Sequence, residues 1–507
     1  MDIGSYLAQN ARKKPEKLAI ECEGRTYNYK QFNEEVNKLA HGLLGLGIQK
    51  GDRIALMMKN SDQFVQAFFA GAKVGAVIVP VNFRLTSSEV HYIFDQSDSL
   101  VVFCDEEFEE TVTSAREETR VLHVITTGAP KVVGHHSFDR VVSDNVENPH
   151  IYISDDDDLE ILYTSGTTGR PKGALFDHKR IFNVGLTMMI SMGINERENF
   201  LHIAPLFHSA QLNLFLLSGV VLGATHIIHR DFHPVKTLEK IQEHKVTHFF
   251  GVPAMYTFML QVPNASDYDL SSIKRCGYGA APMAPEMVRK AMELFKTDQF
   301  FNLCGLTEAG PGGILLDPEG HSTHFGKGGK AAFLTEARVV NEEGKDVAPG
   351  AVGEFIVKGE STMKEYYKKP EETAKALKEG WLYTGDLATI DEEGYITLVD
   401  RKKDMIISGG ENVYSIEVED ILYEHPAVLE AAIIGLPDET WGEAVCAVIV
   451  QKPGMSIDEQ ELKDFCRQKL AGYKIPRRIF IEEVLPRNAS GKILKYQLRK
   501  SLNGVKQ

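Results

Sequence analysis

The stretch Val235-Lys-Thr-Leu-Glu-Lys-Ile-Gln-Glu-His-Lys-Val-Thr-His-Phe-Phe-Gly-Val-Pro-Ala-Met-Tyr-Thr-Phe-Met-Leu260 reads as helix, strand, helix. Residues 235–244 carry a helical pattern, 246–250 a strand pattern and 253–260 a second helical one. The same rhythm extends outward. Residues 31–48 place apolar positions at helical spacing and end near Gly47. Residues 53–57 read as a strand, 61–74 as a helix, and 76–81 as a β-branched run typical of a buried strand. Alternation through residue 360 predicts α/β layers with largely parallel sheets. Near residue 400 the texture changes. A strand-like run at 395–399 leads into Asp400-Arg-Lys-Lys-Asp404. A helix at 415–423, strands at 428–434 and 444–450, a helix at 457–470 and a strand at 478–482 then suffice for a small α+β domain. The expected fold is therefore α/β, with a large domain over 1–400 and a small one over 401–507.

Bulk properties narrow the function. The 507 residues include 56 basic and 71 acidic side chains, a net charge of −15. An acidic chain without clustered Lys and Arg argues against a nucleic-acid partner. A local positive site for an anion is still compatible with it. Cys22, Cys104, Cys276, Cys304, Cys446 and Cys466 are scattered, with neither CxxC pairs nor metal-ligand spacing. That fits a reduced, cytoplasmic chain. The start shows no basic segment followed by an apolar one, so no signal peptide is expected. Apolar runs near 215–224 and 74–81 are too short for the ~20 residues of a membrane span.

The segment Ile161-Leu-Tyr-Thr-Ser-Gly-Thr-Thr-Gly-Arg-Pro-Lys-Gly173 carries the chemistry. It packs four aliphatic hydroxyls, three glycines and two cations behind the end of a strand. Glycines let backbone N–H groups approach an anion, hydroxyls add donors, and Lys172 adds a point charge. Thr164, Ser165, Gly166, Thr167, Thr168, Gly169 and Lys172 thus form a candidate phosphate cradle. GxxxxGK[ST] is absent, so this is not a Walker A loop.

This string resembles the signature loop of the AMP-forming adenylating superfamily, which holds acyl- and aryl-CoA synthetases, luciferases and peptide-synthetase adenylation domains. Further segments match that family in order. Pro205-Leu-Phe-His208 resembles its aromatic-pocket motif. Gly279-Ala-Ala-Pro282 resembles the strand end lining its adenine and acyl sites. Gly305-Leu-Thr-Glu308 resembles GxTE, Tyr383-Thr-Gly-Asp386 the ribose-binding TGD, and Asp400-Arg401 with Lys403 the hinge. Gly409-Gly-Glu-Asn412 resembles the turn facing the thiol acceptor, and Pro486-Arg-Asn-Ala-Ser-Gly-Lys492 the C-terminal lysine motif. The resemblance runs from about Tyr27 to Leu498.

The resemblance implies roles by position. Lys492, Glu308 and Thr307 are expected to be catalytic, with Glu308 holding Mg²⁺, a hard cation suited to oxygen ligands. Gly279, Ala280, Ala281, Pro282, Asn302, Cys304, Asp386 and Arg401 join the loop in binding ATP. His208 and Tyr278 line the acyl site, His208 as a wall rather than a proton carrier. Gly409, Gly410 and Glu411 face coenzyme A, and Lys403 is the hinge. The implied reaction joins a carboxylic acid to ATP-Mg²⁺, giving an acyl-adenylate and pyrophosphate. Coenzyme A then yields the thioester and AMP, with the small domain acting as a rotating lid. Lys492 offsets the repulsion between carboxylate and phosphate.

Three departures stand out. Cys304 replaces the Tyr expected to stack on adenine. Gly326-Lys-Gly-Gly-Lys-Ala331 replaces GSVGKP, and Glu365 a usual Gly. The wall segments 207–217, 249–256 and 278–281 are mostly apolar, with Gln211 and Asn213 as exceptions and no obvious cation for a second carboxylate. A medium- or long-chain fatty acid is therefore expected, with an aryl acid as the alternative. A luciferase-like oxygenase, a stand-alone enzyme loading a carrier protein, and a non-catalytic acyl or nucleotide sensor are competing readings. A homodimer is left open.

Overall fold

Pro234–His244 is a helix, His248–Gly251 a strand and Pro253–Leu260 a helix. Both helices open on Pro, whose missing N–H costs nothing in a first turn. Leu238, Ile241, Val246, Phe249, Tyr256 and Met259 share one buried core. The structure is a computed structural model describing residues 1–164, 170–281, 283–487 and 493–503. The chain forms two units, one of residues 1–337 with 357–383 and one of 338–356 with 384–507.

Two large sheets build the first unit. The nine-stranded sheet runs Lys330–Ala331, Gly313–Leu316, Phe300–Gly305, Arg275–Gly279, His248–Gly251, Asn199–His202, Thr225–Ile228, Leu18–Cys22, Arg25–Asn28. Its centre is parallel, because each crossover carries a helix such as Pro234–His244 or Pro285–Phe295. The eight-stranded sheet runs Glu365–Tyr366, Lys172–Asp177, Asp158–Thr164, Val77–Pro80, Arg53–Met57, Ser99–Cys104, His123–Thr126, His136–Ser137. It too is parallel except at the end that carries Lys172–Asp177. The helix expected at 61–74 forms as Asp62–Val74, capped by Ser61 and closed by Gly75 in the left-handed conformation.

The alternation expected through residue 360 stops earlier. After Gly305 the chain turns back antiparallel into Gly313–Leu316 and then Lys330–Ala331. The first of these connections, residues 306–312, is too short for the crossover a parallel strand needs.

In the second unit, Ile406–Ser408, Glu411–Val413, Gly442–Gln451, Val428–Asp438 and Arg478–Ile481 form one sheet. Helices Ser415–Tyr423, Glu459–Arg467 and Lys495–Leu502 accompany it, the α+β composition expected. The expected boundary at 400/401 lies inside this unit. Asp400 and Arg401 end the strand Ile396–Arg401, which pairs with Asp386–Ile390. Asp400 and Asp404 are buried, and Asp400 accepts from the amide and hydroxyl of Ser415. Among the described residues no helix is long and apolar enough to cross a membrane.

Candidate active site

The candidate phosphate loop springs from a hairpin. Asp158–Thr164 and Lys172–Asp177 pair antiparallel, with Thr164 directly opposite Lys172. Ser165, Gly166, Thr167, Thr168 and Gly169 lie outside the described residues, as do Pro282 and Lys492. A third, short strand, Glu365–Tyr366, adds to this hairpin with Tyr366 opposite Ala174.

That strand brings a new residue to the site. Tyr366 Oη donates to Glu308 Oε1 (2.8 Å), and Thr164 Oγ1 donates to the same oxygen (3.2 Å). The Lys172 ammonium sits 4.3 Å from the Tyr366 ring centroid and 3.9 Å from Glu372. Burial, then the neighbouring Glu308 carboxylate, pushes the Tyr366 phenol above its ordinary range, so it stays a donor. Glu308 is placed by the short turn Thr307–Ala309, whose carbonyl at Glu308 accepts the Met363 amide (2.8 Å). Its second oxygen, Oε2, receives no hydrogen bond among the described residues. Among those residues no group of three or more His, Cys, Asp or Glu could hold a metal. A single open carboxylate oxygen suits Mg²⁺, which binds one or two carboxylates together with substrate phosphates rather than a protein cage.

The carboxyl ends of parallel strands are where α/β sheets bind ligands. Here Arg275–Gly279 and Phe300–Gly305 end side by side. A Cβ at Gly279 would stand 2.3 Å from the Leu303 carbonyl, so only glycine allows this approach. Ala280 follows with φ 67°, a left-handed conformation that costs an alanine roughly 1–2 kcal/mol, and such strain gathers at functional sites. Ala280 and Ala281 are exposed. Tyr278 is buried, and its hydroxyl pairs with His321 Nε2 (3.0 Å). Asn302 donates to the Lys327 carbonyl (3.3 Å). Cys304, half-buried, lines a small apolar cavity with Val184, Met188, Leu214, Leu303 and Ile314.

His208 precedes an unusual element. Ala210–Leu217 is a π-helix, which often marks functional positions. Burial holds the His208 imidazole below its ordinary range, so it is neutral near pH 7. Ser209 meets Thr307 hydroxyl to hydroxyl (3.1 Å). Within the π-helix, Asn213 donates to Glu160 Oε1 (2.7 Å) and the Gln211 amide meets His202 (2.6 Å). Both polar exceptions in the expected acyl wall are thus committed to buried protein partners.

The second unit holds the other expected contacts. Asp386 and Arg401 stand opposite each other, with Arg401 Nε 2.9 Å from Asp386 Oδ1. The strand Trp381–Ile390 runs through Asp386, and Gly385 before it takes φ 73°. Lys403 is exposed. Gly409 and Gly410, at φ 64° and 85°, form the two-residue turn between Ile406–Ser408 and Glu411–Val413. Glu411 is exposed beside it. The Gly409 amide donates to the Trp441 carbonyl (2.8 Å), and Arg477 stacks over the Trp441 ring at 3.7 Å. The Lys492 segment is held at its stem by the bridge between Arg487 and Ile493 and by the Leu494 amide on Pro486 (2.7 Å).

Tyr366, Ser209, His321, Trp441 and Arg477 were not legible as site residues. Only Tyr366 left a trace, in the departure at Glu365 beside it.

Comparison with known proteins agrees with this geometry. Residues 7–367 match the AMP-binding enzyme family and residues 417–492 its C-terminal domain. Feruloyl-CoA synthase from Amycolatopsis sp is 36% identical over 498 residues, 98% of each chain. Long-chain-fatty-acid–CoA ligase FadD13 from Mycobacterium tuberculosis is 36% identical over 509 residues, 99% of each. The structure of o-succinylbenzoate CoA synthetase from Bacillus subtilis with its acyl-adenylate superposes with a TM-score of 0.88 at 30% identity, covering 97% of each chain. From the family match, these relatives and the shared fold, the chain belongs to the AMP-binding enzyme family and is an AMP-forming acid–thiol ligase, an acyl-CoA synthetase using ATP and coenzyme A.

Proposed function

We propose that the acid is a monocarboxylate with an apolar body, a medium- or long-chain fatty acid foremost. The observation that carries this reading is the small cavity that Leu303 lines, with Cys304 at the edge we assign to the nucleotide. Val184, Met188, Leu214 and Ile314 make most of its wall apolar, Thr187, Ser191 and Ser361 add hydroxyls, and no charged side chain is among its lining residues. A second carboxylate buried there would go unpaired, at a cost of several kcal/mol. An aryl acid is the second reading, favoured by the 36% identity to feruloyl-CoA synthase.

In the first half-reaction a carboxylate oxygen attacks the α-phosphorus of ATP, and the bond to pyrophosphate breaks. In the second, the coenzyme A thiol attacks the adenylate carbonyl, loses its proton and expels AMP. We assign Thr164, Lys172 and the loop between them to the phosphates, and Gly279–Pro282, Asn302 and Cys304 to the nucleotide. Asp386 and Arg401 are assigned to the ribose, and His208 and Tyr278 to the acyl wall. Mg²⁺, held by Glu308 with the phosphates, would neutralise charge on them. Lys492 serves the first half, with Lys403 as the hinge residue. The Gly409–Gly410 turn, Glu411, Trp441 and Arg477 serve the second.

Pyrophosphate release tests the substrate over octanoate, palmitate, benzoate, ferulate, 2-succinylbenzoate and malonate, each with and without coenzyme A. Octanoate or palmitate is expected to give the highest kcat/KM. Preference for ferulate or benzoate would move the assignment to aryl acids, and preference for malonate would overturn the apolar reading. Pyrophosphate release without thioester formation would point to a carrier protein as acceptor.

Position 304 can be tested separately. Cys304→Tyr is expected to lower the ATP KM about tenfold, a stacking gain of ~1–3 kcal/mol, with the acid KM unchanged. A raised acid KM with unchanged ATP KM would assign Cys304 to the acyl wall instead.

A further inference from the structure

We infer that Tyr366 is a positioning residue for the first half-reaction: it holds Glu308 by one carboxylate oxygen, leaves the other to the nucleotide's metal ion, and keeps the Lys172 ammonium apart from that carboxylate. The inference rests on the reading of Glu308 and Lys172 given above.

Three observations carry it. The first is convergence. Tyr366 Oη and Thr164 Oγ1 both donate to Oε1 of Glu308, at 2.8 and 3.2 Å. Two donors on one oxygen set the carboxylate's rotation and leave the lone pairs of Oε2 without a donor among the described residues. A bare carboxylate on three rotatable bonds would spread over several orientations.

The second is separation. Lys172 and Glu308 make no ion pair, yet both touch Tyr366, one at the face of the ring and one at its hydroxyl. A lysine and a carboxylate left to meet would pair and neutralise each other. The ring offers the ammonium its negative face, with Glu372 3.9 Å away, and the hydroxyl offers the carboxylate a donor, so each charge is satisfied without the other.

The third is rigidity. Tyr366 is only 5% exposed. Its strand is clamped along the loop's exit strand, since the Lys364 amide donates to the Leu175 carbonyl and the Tyr367 amide to the Gly173 carbonyl, both at 2.8 Å. The Tyr366 amide is itself capped by Thr373 Oγ1 (2.9 Å). Backbone pairing therefore fixes the phenol relative to Lys172, two positions before its partner Ala174.

Calorimetric titration with Mg-ATP, and with ATP in EDTA, tests this on wild type, Tyr366→Phe, Glu308→Gln and the double variant. Wild type is expected to prefer Mg-ATP. Tyr366→Phe keeps the ring and loses the hydroxyl. Its preference for Mg-ATP should shrink 3- to 10-fold while binding of metal-free ATP is unchanged. The Mg²⁺ concentration for half-maximal pyrophosphate release should rise by the same factor. In the Glu308→Gln background Tyr366→Phe should add nothing, because the tyrosine acts through that carboxylate. A Tyr366→Phe variant with wild-type metal preference overturns the inference, as does an equal loss in both backgrounds. A wild-type protein that binds both forms of ATP alike overturns the reading of Glu308 itself, and this inference with it.

Discussion

Lys492→Ala is expected to lower pyrophosphate release roughly 10²- to 10³-fold, the scale for removing one preorganised charge from a transition state. Thioester formation from supplied acyl-adenylate should be retained. The asymmetry follows from charge. In the first half-reaction a carboxylate approaches a triphosphate, and negative charge builds on the phosphoryl oxygens as the bond to pyrophosphate breaks. A lysine ammonium stabilises that arrangement more than it stabilises separated reactants, so kcat falls more than the ATP KM rises. In the second half-reaction a thiol attacks a carbonyl after pyrophosphate has left, and the same cation has far less to offset. Beyond Ile493, Lys495 Nζ lies 2.7 Å from Glu419 and donates to Ser415 Oγ (2.6 Å). Alanine at 492 leaves these ties intact, so the unfolding temperature should not move. Equal loss of both half-reactions would remove Lys492 from its assigned role.

Glu160→Gln should abolish a pH dependence of stability that the wild-type first unit carries. Glu160 is fully buried, and burial raises its carboxyl from the ordinary 4.5 to about 8, partly opposed by the Asn213 hydrogen bond. A group raised in this way contributes stability that is fully present below the unfolded value and is lost as pH rises through the folded one. The window is therefore about pH 4.5 to 8, and the loss across it is on the order of 5 kcal/mol. Oε2 of Glu160 and Oδ1 of Asn213 are both buried without a partner. A proton on the carboxyl converts one of these two acceptors into a donor. Glutamine does so at every pH, so Glu160→Gln should hold its stability through pH 8 while wild type weakens. Glu160→Leu should be destabilised by about 1–3 kcal/mol at low pH, because Asn213 is then left unpaired. Urea unfolding at pH 5.5 and 8.5 reads this out through Trp381, which belongs to the first unit, in a Trp441→Phe background. Parallel pH profiles for wild type and Glu160→Gln would refute the assignment.

Glu160 and its surroundings also show why the acyl wall was only half legible. Gln211 and Asn213 stood out as polar exceptions in an apolar run. The π-helix Ala210–Leu217 turns both toward buried partners, Gln211 to His202 and Asn213 to Glu160. Pattern analysis at 3.6 residues per turn does not anticipate the wider turn of a π-helix. Tyr278 was expected against the acid, and what the structure adds is that its hydroxyl is taken by His321. The helix Ser415–Tyr423 and the strand Arg53–Met57, by contrast, begin and end where their residue patterns do.

The candidate site residues were written locally. Thr164, Lys172, Glu308 and Asp386 each sit in a short motif with a glycine and a hydroxyl, Arg401 in a charged run, and helix and strand periods declared the layers around them. Those features depend on neighbours within a few residues, and a linear reading reaches that far. Tertiary structure alone decided how the charges are arranged. Tyr366 meets a carboxylate 58 positions away, Thr164 the same carboxylate across 144, and Ser209 the hydroxyl of Thr307 across 98. No periodicity carries such contacts. They arise because antiparallel pairing lays Glu365–Tyr366 along the strand leaving the phosphate loop, and because two sheets bring their strand ends to one place.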